Sequence, residues 1–144
     1  MNLDDYFEYW QSDSQIDRTE LGEESIKIPQ LHYKYYRFYS NERLNYTRLV
    51  EQSKQLKRLK YEHYMGMLSH EDYKDLGWEP NQLKILKADV PMYMDSDQDI
   101  IDSNLKIAYA KEKIDFLENV IRTLNTRGYQ LKNAIDWERF KVGA

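Results

Sequence analysis

Cysteine is absent from this chain. That excludes a disulfide, a thiol nucleophile and a zinc–thiolate site, and it fits a reducing compartment. Glycine and proline are scarce, at five and three of 144 residues. The glycines are scattered and form neither GxGxxG nor GxxxxGK[ST], so the usual phosphate-cradling loops are excluded. No apolar run reaches the roughly 18 residues a membrane-crossing helix requires, and none is expected. The opening MNLDDYFEYW is acidic and lacks a basic region followed by an apolar one, so it does not read as a signal peptide. The three histidines, His32, His63 and His70, show no HExxH and no close ligand pairing. No metal site, cofactor or catalytic group emerges, and the chain does not read as an enzyme.

What is present is charge and tyrosine. Charged residues make up 32% and aromatics 14%, and thirteen of the aromatics are tyrosines. Such a chain suits a single folded domain with one modest core and much surface. The net charge of −4 hides four blocks. Residues 1–25, 26–65, 66–105 and 106–144 carry −7, +6, −6 and +3. Blocks of this kind indicate either a basic binding surface on an acidic body or pairing between the blocks themselves.

Periodicity predicts a mainly α fold. A short N-terminal helix carries Tyr6, Phe7 and Trp10 on its apolar side. Pro29 suits a first helical turn, and no Gly or Pro follows before Gly66. A long helix is therefore expected over about 29–66. Its apolar stripe (Leu31, Tyr35, Phe38, Leu49, Leu56, Leu59) is interrupted by Glu42, Asn45 and Gln52. Residues 67–95 read as an irregular connector, with one short strand in QLKILKADV, residues 82–90. Ser96 is placed to cap the next helix, with Asp97 and Asp99 in its first turn. Ile107, Ala110, Ile114, Leu117, Ile121 and Leu124 then alternate spacings of three and four, a heptad seam that asks for a helical partner. Gly128 is expected to break it, leaving a final helix with Leu131, Ile135, Trp137 and Phe140 on its apolar side. The chain thus divides into parts near 1–66, 67–95 and 96–144.

The one pattern that carries chemistry is LKRLKYEHYMG, Leu56 to Gly66. Lys57, Lys60, Tyr61 and Tyr64 share a helix face, Arg58 flanks it, and Lys54 extends it by a turn. Upstream, HYKYYRFY interleaves Lys34 and Arg37 with tyrosines, and Arg43 follows. Cations that track phosphates beside flat rings that stack on bases are what sequence-independent binding of single-stranded nucleic acid requires. Tyr35, Tyr36 and Tyr39 lie near the apolar stripe and are expected in the core. The alternative is a helical scaffold or adaptor whose basic face meets an acidic protein partner. The aspartates 95, 97 and 99 resemble part of a calcium loop but lack its glycine and closing glutamate, so capping accounts for them better.

Four blocks in order give the chain a family likeness: IDRTELGEESIKIPQLHYKYYRFYSNERL, LKRLKYEHYMG, ILKADVPMYMDSD and RGYQLKNAIDWERF. It resembles the UvsY family of recombination mediators from myovirus phages, and the third block is most like members from cyanobacterial phages. The family's basic segment has the form Lys-x-Arg before a tyrosine pair. The matching positions here are Arg58 and Lys60 ahead of His63 and Tyr64, with the cations in reverse order and His63 in place of one aromatic. The resemblance implies a non-enzymatic protein that binds single-stranded DNA. It implies that the protein helps load the phage recombinase UvsX onto DNA covered by the phage single-strand-binding protein, in the cytoplasm of the infected bacterial host. It also implies a homo-oligomeric ring of six or seven subunits held by the C-terminal part. The seam residues Ile107, Ile114, Leu117, Ile121 and Leu124, with Leu131 and Ile135, are the expected assembly surface.

Overall fold

The computed structural model describes residues 1–143. Among them are five α-helices and no strand: α1 (Leu3–Asp13), α2 (Leu21–Tyr64), α3 (His70–Leu76), α4 (Val90–Asp95) and α5 (Gln98–Lys141). The mainly α expectation is met. Two compact units form, one from Met1–Asn45 with the chain from Ala110 onward, the other from Tyr46–Tyr109. The long helices α2 and α5 contribute residues to each unit. The division therefore falls inside these helices.

Local chemistry explains most helix ends. Asn2 and Asp5 form a reciprocal capping box at the start of α1, with bonds of 2.8 and 3.0 Å. At the end of α2 the Met67 amide donates to the Glu62 carbonyl at 2.8 Å and the Gly66 amide to that of His63 at 3.2 Å. With Gly66 at φ +71° this is a Schellman close, as the glycine predicted. The start of α2 differs from expectation. It begins at Leu21, and Pro29 lies inside it. The half-buried and buried positions Leu21, Glu24, Ile28, Leu31, Tyr35, Phe38 and Glu42 keep the three–four spacing straight through the proline. Pro29 itself is exposed, so the helix loses a bond only on its wet side.

Three other expectations are corrected. Residues 82–90 form no strand: Lys87–Asp89 is a 3-10 turn and Val90 opens α4 with its side chain buried. No other strand exists among the described residues to pair with one. Ser96 does not cap α5; its hydroxyl donates back to the Met92 carbonyl at 3.0 Å and closes α4. Asp97 is the cap, its Oδ1 accepting from the amides of Asp99 and Ile100 at 2.9 and 3.2 Å. Gly128 does not interrupt α5, which runs unbroken from Gln98 to Lys141. One helical glycine costs about 0.5–1 kcal/mol, too little to end a helix whose buried face continues on both sides.

The first unit packs α1 against the early part of α2 and the later part of α5. Tyr6, Tyr35, Leu117, Val120 and Leu124 form its core, with Trp10, Leu31, Phe38, Tyr39, Phe116 and Ile121 against them. Trp10 meets Tyr35 edge to face at 5.4 Å, and Tyr6 meets Phe38 at 5.2 Å. Glu42, read as a break in the stripe, is buried within it. Its carboxylate accepts from the Tyr6 hydroxyl at 2.7 Å and pairs with Lys113 at 2.9 Å. Arg127 is buried too, donating to the carbonyls of Asp13 and Ser14 at 3.1 and 3.0 Å. Those carbonyls end α1 and have no helical partner of their own.

Candidate nucleic-acid interface

The basic segment lies in the second unit, in the last three turns of α2. Lys54, Lys57 and Arg58 are exposed. Lys54 pairs loosely along the helix with Glu51 at 2.9 Å, and Arg58 Nε stands 3.9 Å from Glu62. Exposed pairs of this kind are worth little and exchange readily for another anion. Among the described residues Lys57 has no ion-pair partner.

Lys60 is different. Its side chain is only 7% exposed, and its Nζ lies 3.2 Å from Asp97 and 2.8 Å from Asp99. The same ammonium sits 4.0 Å above the centre of the Trp78 ring. Two carboxylates and an aromatic face thus compensate a desolvated cation. The Tyr64 hydroxyl donates to Asp97 at 2.6 Å, and His63 Nδ1 lies 2.9 Å from the Tyr73 hydroxyl. Asn81 donates toward the carbonyls of His63 and Tyr64 at 3.4 and 3.3 Å, which ties the irregular stretch after α3 to the end of α2.

This network sets its own protonation. Burial pushes Asp97 upward, but hydrogen bonds from Tyr64, Ile100 and Lys60 outweigh it and hold the carboxyl below its ordinary range. Burial, then the Asp97 hydrogen bond, raises the Tyr64 phenol. Burial and the nearby Lys60 lower His63, against a weaker pull from Asp97.

A second group of the predicted cations lies in the first unit. Arg37 and Arg43 are exposed, and the Arg43 guanidinium lies 5.4 Å from the Tyr39 ring centre. Lys34 is held inward, 2.7 Å from Asp13 and 4.5 Å from the Tyr9 ring centre. Tyr33 and Tyr36 are 67% and 51% exposed.

Each unit thus carries exposed cations on its part of α2 and one lysine held by carboxylate, Lys34 in the first unit and Lys60 in the second. The sequence profile of the family described as "Recombination, repair and ssDNA binding protein UvsY" matches residues 9–144. The chain belongs to the UvsY family. It is similar to the recombination protein uvsY of enterobacteria phage T4, 22% identical over 143 residues, with 99% of each chain covered. Crystal structures of the bacteriophage T4 recombination mediator protein UvsY share the fold. One matches with a TM-score of 0.85 at 22% identity, covering 99% of both chains. Another matches at 0.84 and 23%, covering 97% of this chain and 99% of that one.

Within this UvsY fold, the predicted site separates into two classes. Lys54, Lys57, Arg58, Arg37 and Arg43 are exposed, whereas Lys60 and Lys34 are engaged by carboxylates. The face expected to unite Lys57, Lys60, Tyr61 and Tyr64 is not an open face: Lys60 is buried, and Tyr61 and Tyr64 are half-buried. The seam is packed within the chain along part of its length. Ile114, Leu117, Leu124 and Leu131 are buried within the chain, and Ile107, Ile121 and Ile135 are half-buried. In the first unit Leu117, Ile121 and Leu124 pack with Tyr6 of α1 and Tyr35 of α2. Sequence reading missed the openness of Tyr33 and Tyr36. Their signal was phase: residues 31, 35, 38 and 42 make one helical row, while 33, 36, 40 and 43 make the opposite one.

Proposed function

We propose that this chain is a recombination mediator that binds single-stranded DNA without sequence preference. It works by binding and not by turnover, helping a phage recombinase of the UvsX kind load onto DNA covered by single-strand-binding protein. It does so in the cytoplasm of the infected bacterial host. The observation that carries this reading is the family match over residues 9–144, whose description names single-stranded DNA. The exposed cations Lys54, Lys57 and Arg58 give it a physical means. Each subunit neutralises only a few phosphates, so useful affinity calls for repetition of the site in a homo-oligomer, a ring of six or seven copies, along one strand. The exposed end of α5 supports such assembly: Trp137 and Phe140 stack on each other at 5.5 Å with their outer faces in solvent. The adaptor alternative gains no observation of its own.

The test is a loading assay. Recombinase filament growth is followed on single strands already coated with single-strand-binding protein. The reading expects a shortened lag with this protein present. An unchanged lag removes the mediator role, and binding to naked strands is then judged separately.

A further inference from the structure

The open row on the early part of α2 has a geometry that the phosphate contacts do not use. His32 and Tyr36 lie with ring centres 6.0 Å apart and planes 13° from parallel. Tyr36 and Tyr39 come next at 6.1 Å with their planes tilted by 54°, and the Arg43 guanidinium covers the Tyr39 ring at 5.4 Å. The four residues climb one side of the helix in steps of four, three and four. Tyr39 is rooted against the core cluster of the first unit, so the row starts from a fixed ring. Tyr36, and Tyr33 beside it, turn their rings to solvent.

A tyrosine that faces water yet packs in a ring ladder is not filling a core. The local charge says what it can meet. Residues 32–45 hold Lys34, Arg37 and Arg43 against one acid, Glu42, and that acid is buried on Lys113. Arg37, one turn on from Tyr33, is exposed and has no ion-pair partner among the described residues. Flat polar-tipped rings beside cations, with Leu44 as the only large exposed aliphatic side chain between 32 and 45, match bases on a phosphate chain better than an apolar protein face.

We infer that His32, Tyr33, Tyr36 and Tyr39 form a base-stacking platform for single-stranded nucleic acid, with Arg37 and Arg43 on the adjoining phosphates. It is a contact separate from Lys54, Lys57 and Arg58. The inference rests on the single-strand reading above and adds that the bases, not only the phosphates, are held. Stacking tolerates any sequence because every base offers a flat face.

The experiment compares a labelled oligonucleotide with an abasic deoxyribose-phosphate strand of the same length and charge, by fluorescence anisotropy. Wild type is set beside Tyr33→Ala/Tyr36→Ala and Tyr33→Phe/Tyr36→Phe. The substituted side chains are exposed, and equal thermal midpoints confirm that all three fold. The wild type is expected to favour the base-bearing strand by about tenfold or more, from one or two stacked bases. The alanine variant should bind both strands alike, and the phenylalanine variant should keep the preference. A wild type that binds both strands equally, or an alanine variant that keeps the preference, overturns the platform while leaving single-strand binding intact. A wild type that binds neither strand removes both readings.

Discussion

At the residue scale, two neighbouring cations that look alike in sequence do opposite things. Arg58 is 72% exposed at its side chain and Lys60 is 7%. Removing Lys60 leaves Asp97 buried without its counter-ion, so Lys60→Ala should destabilise by about 3–5 kcal/mol. Arg58→Ala should stay within about 0.5 kcal/mol of wild type. Urea denaturation of both variants checks the contrast, and equal midpoints would refute it. His63 adds a pH dependence. The unfolded imidazole titrates near about 6.5. In the fold, burial and then Lys60 hold it lower. Between those two values the unfolded chain binds more protons, so stability should fall as pH drops from 7 toward 5. His63→Gln should flatten that slope in thermal melts at several pH values. Which lysine was locked was not legible in the sequence. The distinction depends on Asp97, Asp99 and Trp78, which reach Lys60 from other segments.

At the element scale, glycine shows how far a local signal carries. Gly66 and Gly128 were both expected to end helices, and only the first does. Gly66 sits at φ +71°, where any side chain is strained, while Gly128 lies in a continuous helix with open space where a Cβ would stand. Gly66→Ala should therefore destabilise by about 1–2 kcal/mol, and Gly128→Ala should stabilise by about 0.5–1 kcal/mol. Opposite shifts in the thermal midpoint are the expected result; shifts of the same sign would contradict it. The long helices and the close at Gly66 could be read from spacing. The true start of α2 could not, because its rows from Leu21 to Glu42 contain buried acids where apolar residues were sought. The supposed strand at 82–90 failed because alternation alone supplies no pairing partner.

At the scale of the whole molecule, the family and the helical class were legible in the sequence, but the packing of part of the heptad seam against α1 and α2 was not. A seam reads the same whether its partner is another subunit or the same chain. Here Leu117 and Leu124 are buried beside Tyr6 and Tyr35, and the proposed assembly draws on the exposed end of α5. Trp137→Ala/Phe140→Ala should lower the assembled mass in light scattering while leaving helix content by circular dichroism unchanged. The same mass as wild type would contradict the proposed role of this end of α5 in assembly. The central claim is that exposed cations on α2 hold the phosphates of a single strand. It is tested most directly by anisotropy of a labelled oligonucleotide across a salt series, comparing wild type with Lys57→Ala/Arg58→Ala. Light scattering verifies equal assembly. The log–log salt slope should become shallower by about 0.7 for each phosphate that the variant no longer neutralises, with weaker binding at every salt concentration. Equal affinity and equal slope for the two proteins would contradict the account.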